Sequence, residues 1–219
     1  MKAIRIGEQI WADSNLAVTK FNNGDAIPLM DPKEFKQDWR FGKKWEKYSD
    51  ERKPVCTLYK GEIERRTREG VLYNWFAAND ERGICPDGWV IPTINDWIKL
   101  ALYLKASEHL EKTEYQETRI FKGFSSKLKS KTGWDENLNG TDEYGFNLQA
   151  LGNIGSLGDW RPIYKFTSMS FWTSSDYEFP YDQWVDTPFF VDDDMIINKG
   201  LKHSGYHVRC IRSECSLKQ

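Results

Sequence analysis

Hydrophobic and polar positions alternate at the start of the chain. Ile4 and Ile6 flank Arg5, Gly7-Glu8 interrupts, and Ile10-Trp11 resumes. A period of two broken by a turn pair predicts a β-hairpin over the first dozen residues. Residues 21–53 are polar, with Asn22-Asn23-Gly24-Asp25 and spaced rings at Phe35, Trp39, Phe41, Trp45 and Tyr48; they read as long loops and short strands pinned by those rings. Residues 62–69 are charged and read as exposed. Residues 71–78 (VLYNWFAA) form an apolar run too short for its period to separate helix from strand. Pro86-Asp87-Gly88 is a turn signal, and residues 89–91 read as a short strand after it. Thr93 then caps a helix, with Asp96 completing a capping-box pair. Trp97, Leu100, Ala101 and Leu104 fall on one face, which predicts a helix over 93–111. After Gly133-Trp134 the chain becomes rich in Gly and Asn, with short strands fitting at 146–148 and 170–173. The end alternates Tyr206, Val208 and Cys210 against His207, Arg209 and Ile211, as a closing strand does. One main helix and many short antiparallel strands with long loops predict an α+β class.

Composition narrows the class. At 219 residues, with 29% charged and 39% hydrophobic positions, the chain is too polar for a membrane protein and too apolar to be wholly disordered. It reads as one domain over 1–219, with hairpin and loops over 1–70 and a core module over 71–215. Ten Trp, ten Tyr and twelve Phe supply large rings for a core and leave some for ligand contact. The net charge of −2 gives no global basic field for nucleic acid. The basic run 122–131 (KGFSSKLKSK) reads as a solvated loop. No stretch of about 20 apolar residues predicts a transmembrane helix. Met1-Lys2-Ala3-Ile4-Arg5-Ile6 has no apolar h-region, so it does not read as a signal peptide. Cys56, Cys85, Cys210 and Cys215 form no Cys-x-x-Cys pair, and His109, His203 and His207 do not stand at zinc-site spacing to them.

Candidate chemistry is sparse. No Gly-x-Ser-x-Gly elbow exists, and on a strand His207 would lie on the face opposite Cys210, so a Cys/His catalytic pair is disfavoured. Asp192-Asp193-Asp194 holds acids close together; three adjacent carboxylates repel if buried, so they read as solvated rather than as a glycosidase pair. Asp192 and Asp194, with Asn198, could supply part of a calcium shell, which wants six to eight oxygens. Asp135-Glu136-Asn137 with Asp142-Glu143 has the same standing, and Asn139-Gly140-Thr141 is a glycosylation sequon. The most informative stretch is 172–204. Asp176, Tyr177, Tyr181, Asp182, Trp184, Asp193, Asn198 and His203 are side chains of the kind that make adaptable ligand contacts. Trp172 reads as core.

Several segments recur in a known order: 6–16 (IGEQIWADSNL), 72–78 (LYNWFAA), 85–93 (CPDGWVIPT), Asp96-Trp97, 128–130 (LKS), Gly133-Trp134, 141–146 (TDEYGF), 171–175 (FWTSS) and 208–210 (VRC). In series they resemble the Fibrobacter succinogenes major paralogous domain. The resemblance implies a C-type-lectin-like fold, in the branch that holds formylglycine-generating enzymes and the variable proteins of diversity-generating retroelements. In that fold the first and last strands pair, and a loop-rich half carries the ligand surface. The family is mostly found secreted or at cell surfaces. Residues 184–199 depart from the family pattern, and the Glu-Pro-Asn and Trp-Asn-Asp sugar motifs of calcium-dependent lectins are absent. If the regions of Cys85 and Cys210 are neighbours, a disulfide between them would close a long loop. The reading that follows is a non-enzymatic module for a carbohydrate or protein ligand, needing no cofactor unless calcium, with a retroelement-diversified receptor as a specific variant. The alternatives are an adhesion or assembly protein and an enzyme of the formylglycine-generating type.

Overall fold

The computed structural model describes residues 1–30, 39–58, 66–112, 117–135, 137–156, 160–161, 167–175 and 183–212. Their class is α+β: a few helices and four small sheets, antiparallel except at one strand pair. The predicted hairpin is β1 (Ala3–Ile6) and β2 (Gln9–Ala12), in register Ile4↔Trp11. The sheet it founds runs β1-β2-β14-β6, where β14 is Ile211–Arg212 and β6 is Trp89–Val90. The two ends of the described chain therefore share one sheet, through Ile211↔Trp11.

A second sheet joins β3 (Leu29–Met30), β4 (Cys56–Leu58) and β5 (Val71–Tyr73), with β3 and β4 parallel. The largest sheet runs β11-β12-β13-β8-β7. Its strands are β7 (Ser107–Lys112), β8 (Glu117–Lys122), β11 (Ser168–Ser170), β12 (Trp184–Val191) and β13 (Asp194–Leu201). β9 (Asn153–Ile154) and β10 (Trp160–Arg161) pair separately.

The helices are α1 (Trp39–Asp50), α2 (Arg66–Glu69), α3 (Trp75–Ala78) and α4 (Ile94–Tyr103). α4 begins as predicted: the Thr93 hydroxyl accepts the Asp96 amide at 3.2 Å, and the Asp96 carboxylate accepts the Thr93 amide at 2.8 Å. Its buried face is Trp97, Ile98, Leu100 and Ala101, and Leu104 is buried at its end. Trp97 is the hub: its ring stacks on Phe171 at 5.0 Å and meets Trp11 at 4.6 Å, with Phe146 and Phe190 edge-on. The helix stops at Tyr103, short of the 111 expected. Lys105 takes a left-handed backbone (φ 69°), which ends the helix, and 107–112 pairs instead with β8.

Other expectations are corrected. α1 lies inside the stretch read as loops and strands, because Trp45 and Ser49 fall one turn apart and both are fully buried. Trp45 Nε1 donates to the His203 carbonyl at 2.7 Å, which ties α1 to the far end of the chain. The ambiguous 71–78 run is strand and then helix, and the switch is Asn74. Its side chain accepts the Ala77 and Val55 amides and donates to the Lys53 carbonyl. Of 62–69, Glu69 is only 5% exposed, since Gly70 (φ +86°) lets Asn15 close in, and Asn15 Nδ2 donates to the Glu69 carbonyl. The 146–148 strand reduces to a bridge, Leu148↔Lys129.

The basic run is not wholly solvated. Lys129 is buried: its Nζ donates to the Asp192 carbonyl and lies 4.0 Å over the Trp134 ring. Burial lowers its pKa, opposed by the charges of Asp193, Asp192 and Asp194.

The closing segment differs most from its expectation. Only Ile211–Arg212 is strand; residues before it make single bridges to Ile154, Tyr73 and Phe171 in turn. Because neighbours lie on every side, both alternating faces are buried, Arg209 and His207 included. Arg209 donates to Asn15 Oδ1, to the Ala12 carbonyl and to the Phe146 carbonyl at 2.6 Å, beneath the Phe146 ring. Burial pulls its pKa down to about 9, opposed by Asp13 and Asp142, so it stays charged near neutrality. Arg209→Met strands three buried acceptors, and a loss of about 3 kcal/mol or more in urea unfolding is expected.

Candidate functional site

Pairing in the β12–β13 hairpin runs from Trp184↔Leu201 to Val191↔Asp194. Asp192 and Asp193 form its two-residue turn, with Asp192 in the left-handed region that Asp tolerates (φ 49°). The acids of this turn serve the fold. The Asp193 carboxylate accepts the Ser126 amide, and its carbonyl accepts the Phe124 and Ser125 amides. Asp194 Oδ1 accepts the Gly123 amide at 3.0 Å. Asn198 lies four residues further along β13, roughly 13 Å away at strand rise. Asp192, Asp194 and Asn198 therefore do not converge as a calcium shell, and among the described residues no group of three or more His, Cys, Asp or Glu is placed to hold a metal. Asn139 of the sequon accepts the Trp134 amide through Oδ1.

At the opposite end of the hairpin two hollows flank the strip formed by 183–184 and 201–204. The larger, about 290 Å³, lies where β9, β11, β12 and β13 meet. Asn153 and Ser156 line it together with Trp184, Asn198 and Lys199 of the hairpin and with Ser204 and Tyr206. Asn153 Oδ1 is buried without a hydrogen-bond partner, an acceptor held ready beside the hollow. Lys199 Nζ pairs with Asp186. Gly200 keeps the hairpin close to its neighbours: an added Cβ would meet Thr187 Cγ2 at 2.7 Å and Tyr206 Cε2 at 2.9 Å. The smaller hollow, about 230 Å³, is lined by Asp50, Arg52, Trp75, Phe76, Gln183, Lys202 and His203.

Of the residues singled out in the sequence, Trp184 and Asn198 share the larger hollow and His203 lines the smaller. Asp193 sits at the far turn, away from both. Asp176, Tyr177, Tyr181 and Asp182 lie outside the described residues, as does Cys215. Trp172 is fully buried, its Nε1 on the Tyr73 carbonyl at 2.7 Å. Asn153, Ser156 and Ser204 went unnoticed because no local pattern marks them; only tertiary folding brings them to Trp184.

Cys85 and Cys210 are joined in a disulfide, with Cα atoms 6.1 Å apart. Cys210 is also fully buried, so in this state it offers no thiolate. The pairing of β2 with β14, the capped α4 and this bond all lie within a stretch that matches one domain family. The Fibrobacter succinogenes major domain profile matches residues 4–212. The chain belongs to that family. The match takes in β1 through β14, and so the residues lining both hollows. No curated protein and no solved structure matches the chain. Among the described residues no helix is long and apolar enough to cross a membrane.

Proposed function

We propose that this member of the Fibrobacter succinogenes major domain family is a non-enzymatic ligand-binding module with a C-type-lectin-like fold, taking a carbohydrate or protein ligand in the hollow between β9 and the β12–β13 hairpin. The observation that carries the reading is the lining of that hollow. One wall comes from the idiosyncratic 184–199 stretch, through Trp184, Asn198 and Lys199. The other comes from 153–156, where Asn153 Oδ1 lacks a partner. An indole beside amides and hydroxyls suits a ligand with an apolar face and several hydroxyls or amides. Pairing of β2 with β14 in one sheet and the long connections after Gly133 fit the lectin-like architecture. A fixed frame bearing one individual wall also suits a receptor diversified over that wall. A reverse transcriptase beside the gene, with an imperfect second copy of the 172–210 coding stretch, would bear this out; a locus lacking both would end it. The disulfide is in keeping with secretion or display at a cell surface.

The test is a thermal-shift screen against a glycan set, with calcium and with chelator. A ligand at about 100 times its Kd adds about 2.7 kcal/mol of stability, a rise of several degrees in Tm. Trp184→Ala abolishes that rise, and chelator leaves it intact because the Asp193 and Asp194 carboxylates are engaged by amides. A ligand whose binding survives Trp184→Ala unchanged would overturn the placement of the site.

A further inference from the structure

β7 ends the five-stranded sheet, and every one of its residues, 107–112, is exposed. β8 pairs along one side of it without a break, from Ser107↔Lys122 to Lys112↔Glu117. Among the described residues no strand pairs with its other side. Such an edge presents unpaired N–H and C=O groups to any strand that matches it. Nothing in SEHLEK blunts the edge: it holds no Pro and no Gly, and the pairing with β8 shows no bulge. Leu110, in the middle, is 54% exposed, the most of any large apolar side chain among the described residues. Charges of both signs flank it, at Glu108, Glu111 and Lys112. Glu108 is already paired with Arg119, and Lys112 with Glu117, each at 2.8 Å and at the surface. No residue of β7 lines either hollow.

We infer that β7 is an interface between two copies of this chain, which pair edge to edge and antiparallel about a two-fold axis through Leu110. The backbone restricts the register. In a regular antiparallel ladder the residues that exchange hydrogen bonds alternate along each strand. Two copies of one strand therefore meet with the axis through a residue, never between two. An axis through Glu108 or Glu111 sets that carboxylate against its own copy. One through His109 sets Glu108 against Leu110. The axis through Leu110 sets Leu110 against Leu110, Glu108 against Lys112 and His109 against Glu111, with no like-charge pair. Neither salt bridge has to open. Charges then alternate across the joint, from Arg119 and Glu108 of one copy to Lys112 and Glu117 of the other. The strand is thus complementary to itself, as an isologous contact requires. The product is a continuous ten-stranded sheet in which each copy keeps its own hollows. A ligand repeated along a polymer would meet two sites at once and gain by avidity. The interface does not depend on what the larger hollow binds.

The experiment is sedimentation equilibrium of the full chain over a wide concentration range. A ladder of one short strand is small beside the about 1,200 Å² of stable complexes, so the expected dimer is weak, with a Kd of about 10–100 µM. Glu108→Lys and Lys112→Glu each set like charges opposite one another twice per dimer, and each weakens association at least about tenfold. Mixed one to one, the two variants associate again, because every 108–112 contact between them joins opposite charges. A purely structural role for either side chain would give no such rescue. Leu110→Cys in a Cys215→Ser background forms an intermolecular disulfide on mild oxidation, since paired Cβ atoms stand about 5 Å apart. Ser107→Cys in the same background does not, because it lies roughly 20 Å from its own copy at strand rise. Trp184→Ala leaves association unchanged, which separates this interface from the larger hollow. A chain that stays monomeric at about 500 µM, well above the expected Kd, would overturn the assignment. So would charge variants that associate like wild type, a mixture that does not associate, or equal cross-linking at 107 and 110.

Discussion

Reducing the Cys85–Cys210 bond is expected to destabilise the protein by as much as about 5 kcal/mol. The cysteines are 125 residues apart in sequence, and in the chain-entropy account a loop of that length gives roughly this figure. Measured bonds more often give about 2–4 kcal/mol, so the loss should fall between these limits. Geometry favours the upper part of the range, because the bond reinforces an existing join. Cys210 precedes β14, and β14 pairs with β6, which follows Cys85 closely. Urea unfolding with and without reductant measures the effect. A Cys85→Ala/Cys210→Ala double variant should lose the same amount and become insensitive to reductant. The remaining described cysteine, Cys56, will not confuse the result in the native state. Burial pushes its thiol up to about 12, so alkylation before unfolding is negligible. A loss below about 1 kcal/mol would mean that the bond adds nothing to a sheet already closed by β14.

Acid is expected to unfold the protein, and His207 is expected to dominate. The ring is fully buried, and burial, reinforced by the Arg209 charge, holds its pKa down at about 3 against an ordinary 6.5. Neither ring nitrogen makes a well-aligned hydrogen bond, and the Val71 backbone offsets only a little of the push. The unfolded chain binds a proton at His207 below about pH 6.5, whereas the folded chain refuses it until about pH 3. Between those values the unfolded state holds more protons, so stability falls as pH falls. Each unit of difference corresponds to 1.36 kcal/mol, so the loss from pH 7 to pH 3 approaches about 5 kcal/mol from this one group. Above pH 6.5 His207 contributes no pH dependence. His207→Phe keeps a ring of similar size without a titrating nitrogen. It should lie within about 1.5 kcal/mol of wild type at neutral pH and be clearly the more stable of the two near pH 3.5. Parallel stability curves for the two proteins over that range would refute the assignment.

How much of this was legible in the sequence depends on the range of the forces involved. The first hairpin and the capped start of α4 were legible because each is set within a few residues, by a period of two around Gly7-Glu8 and by the Thr93–Asp96 exchange. The end of α4 was not, since 107–112 becomes strand only when 117–122 lies beside it. α1 escaped notice because Trp45 is anchored by a carbonyl 158 residues away. Lys129, in a run read as a solvated loop, is buried because the Asp192 carbonyl, from a distant segment, and the Trp134 ring receive its ammonium. The candidate site was legible in part. Trp184, Asn198 and His203 were named for their side-chain chemistry and do line hollows. The acids at 192–194 were named for the same reason, yet they hold a turn against the 123–126 segment. Residue type showed what each side chain could do, and register decided where it stands.

The most direct measurement is a heteronuclear NMR titration of the isotope-labelled chain with whichever glycan or protein ligand raises its melting temperature. On the present account the first signals to move are the Trp184 indole and the amides of Asn153, Ser156, Asn198 and Ser204, while those of Asp192 and Asp193 stay still. Perturbations centred on the 192–194 turn or on the exposed β7 strand, with Trp184 and Asn153 unmoved, would contradict it.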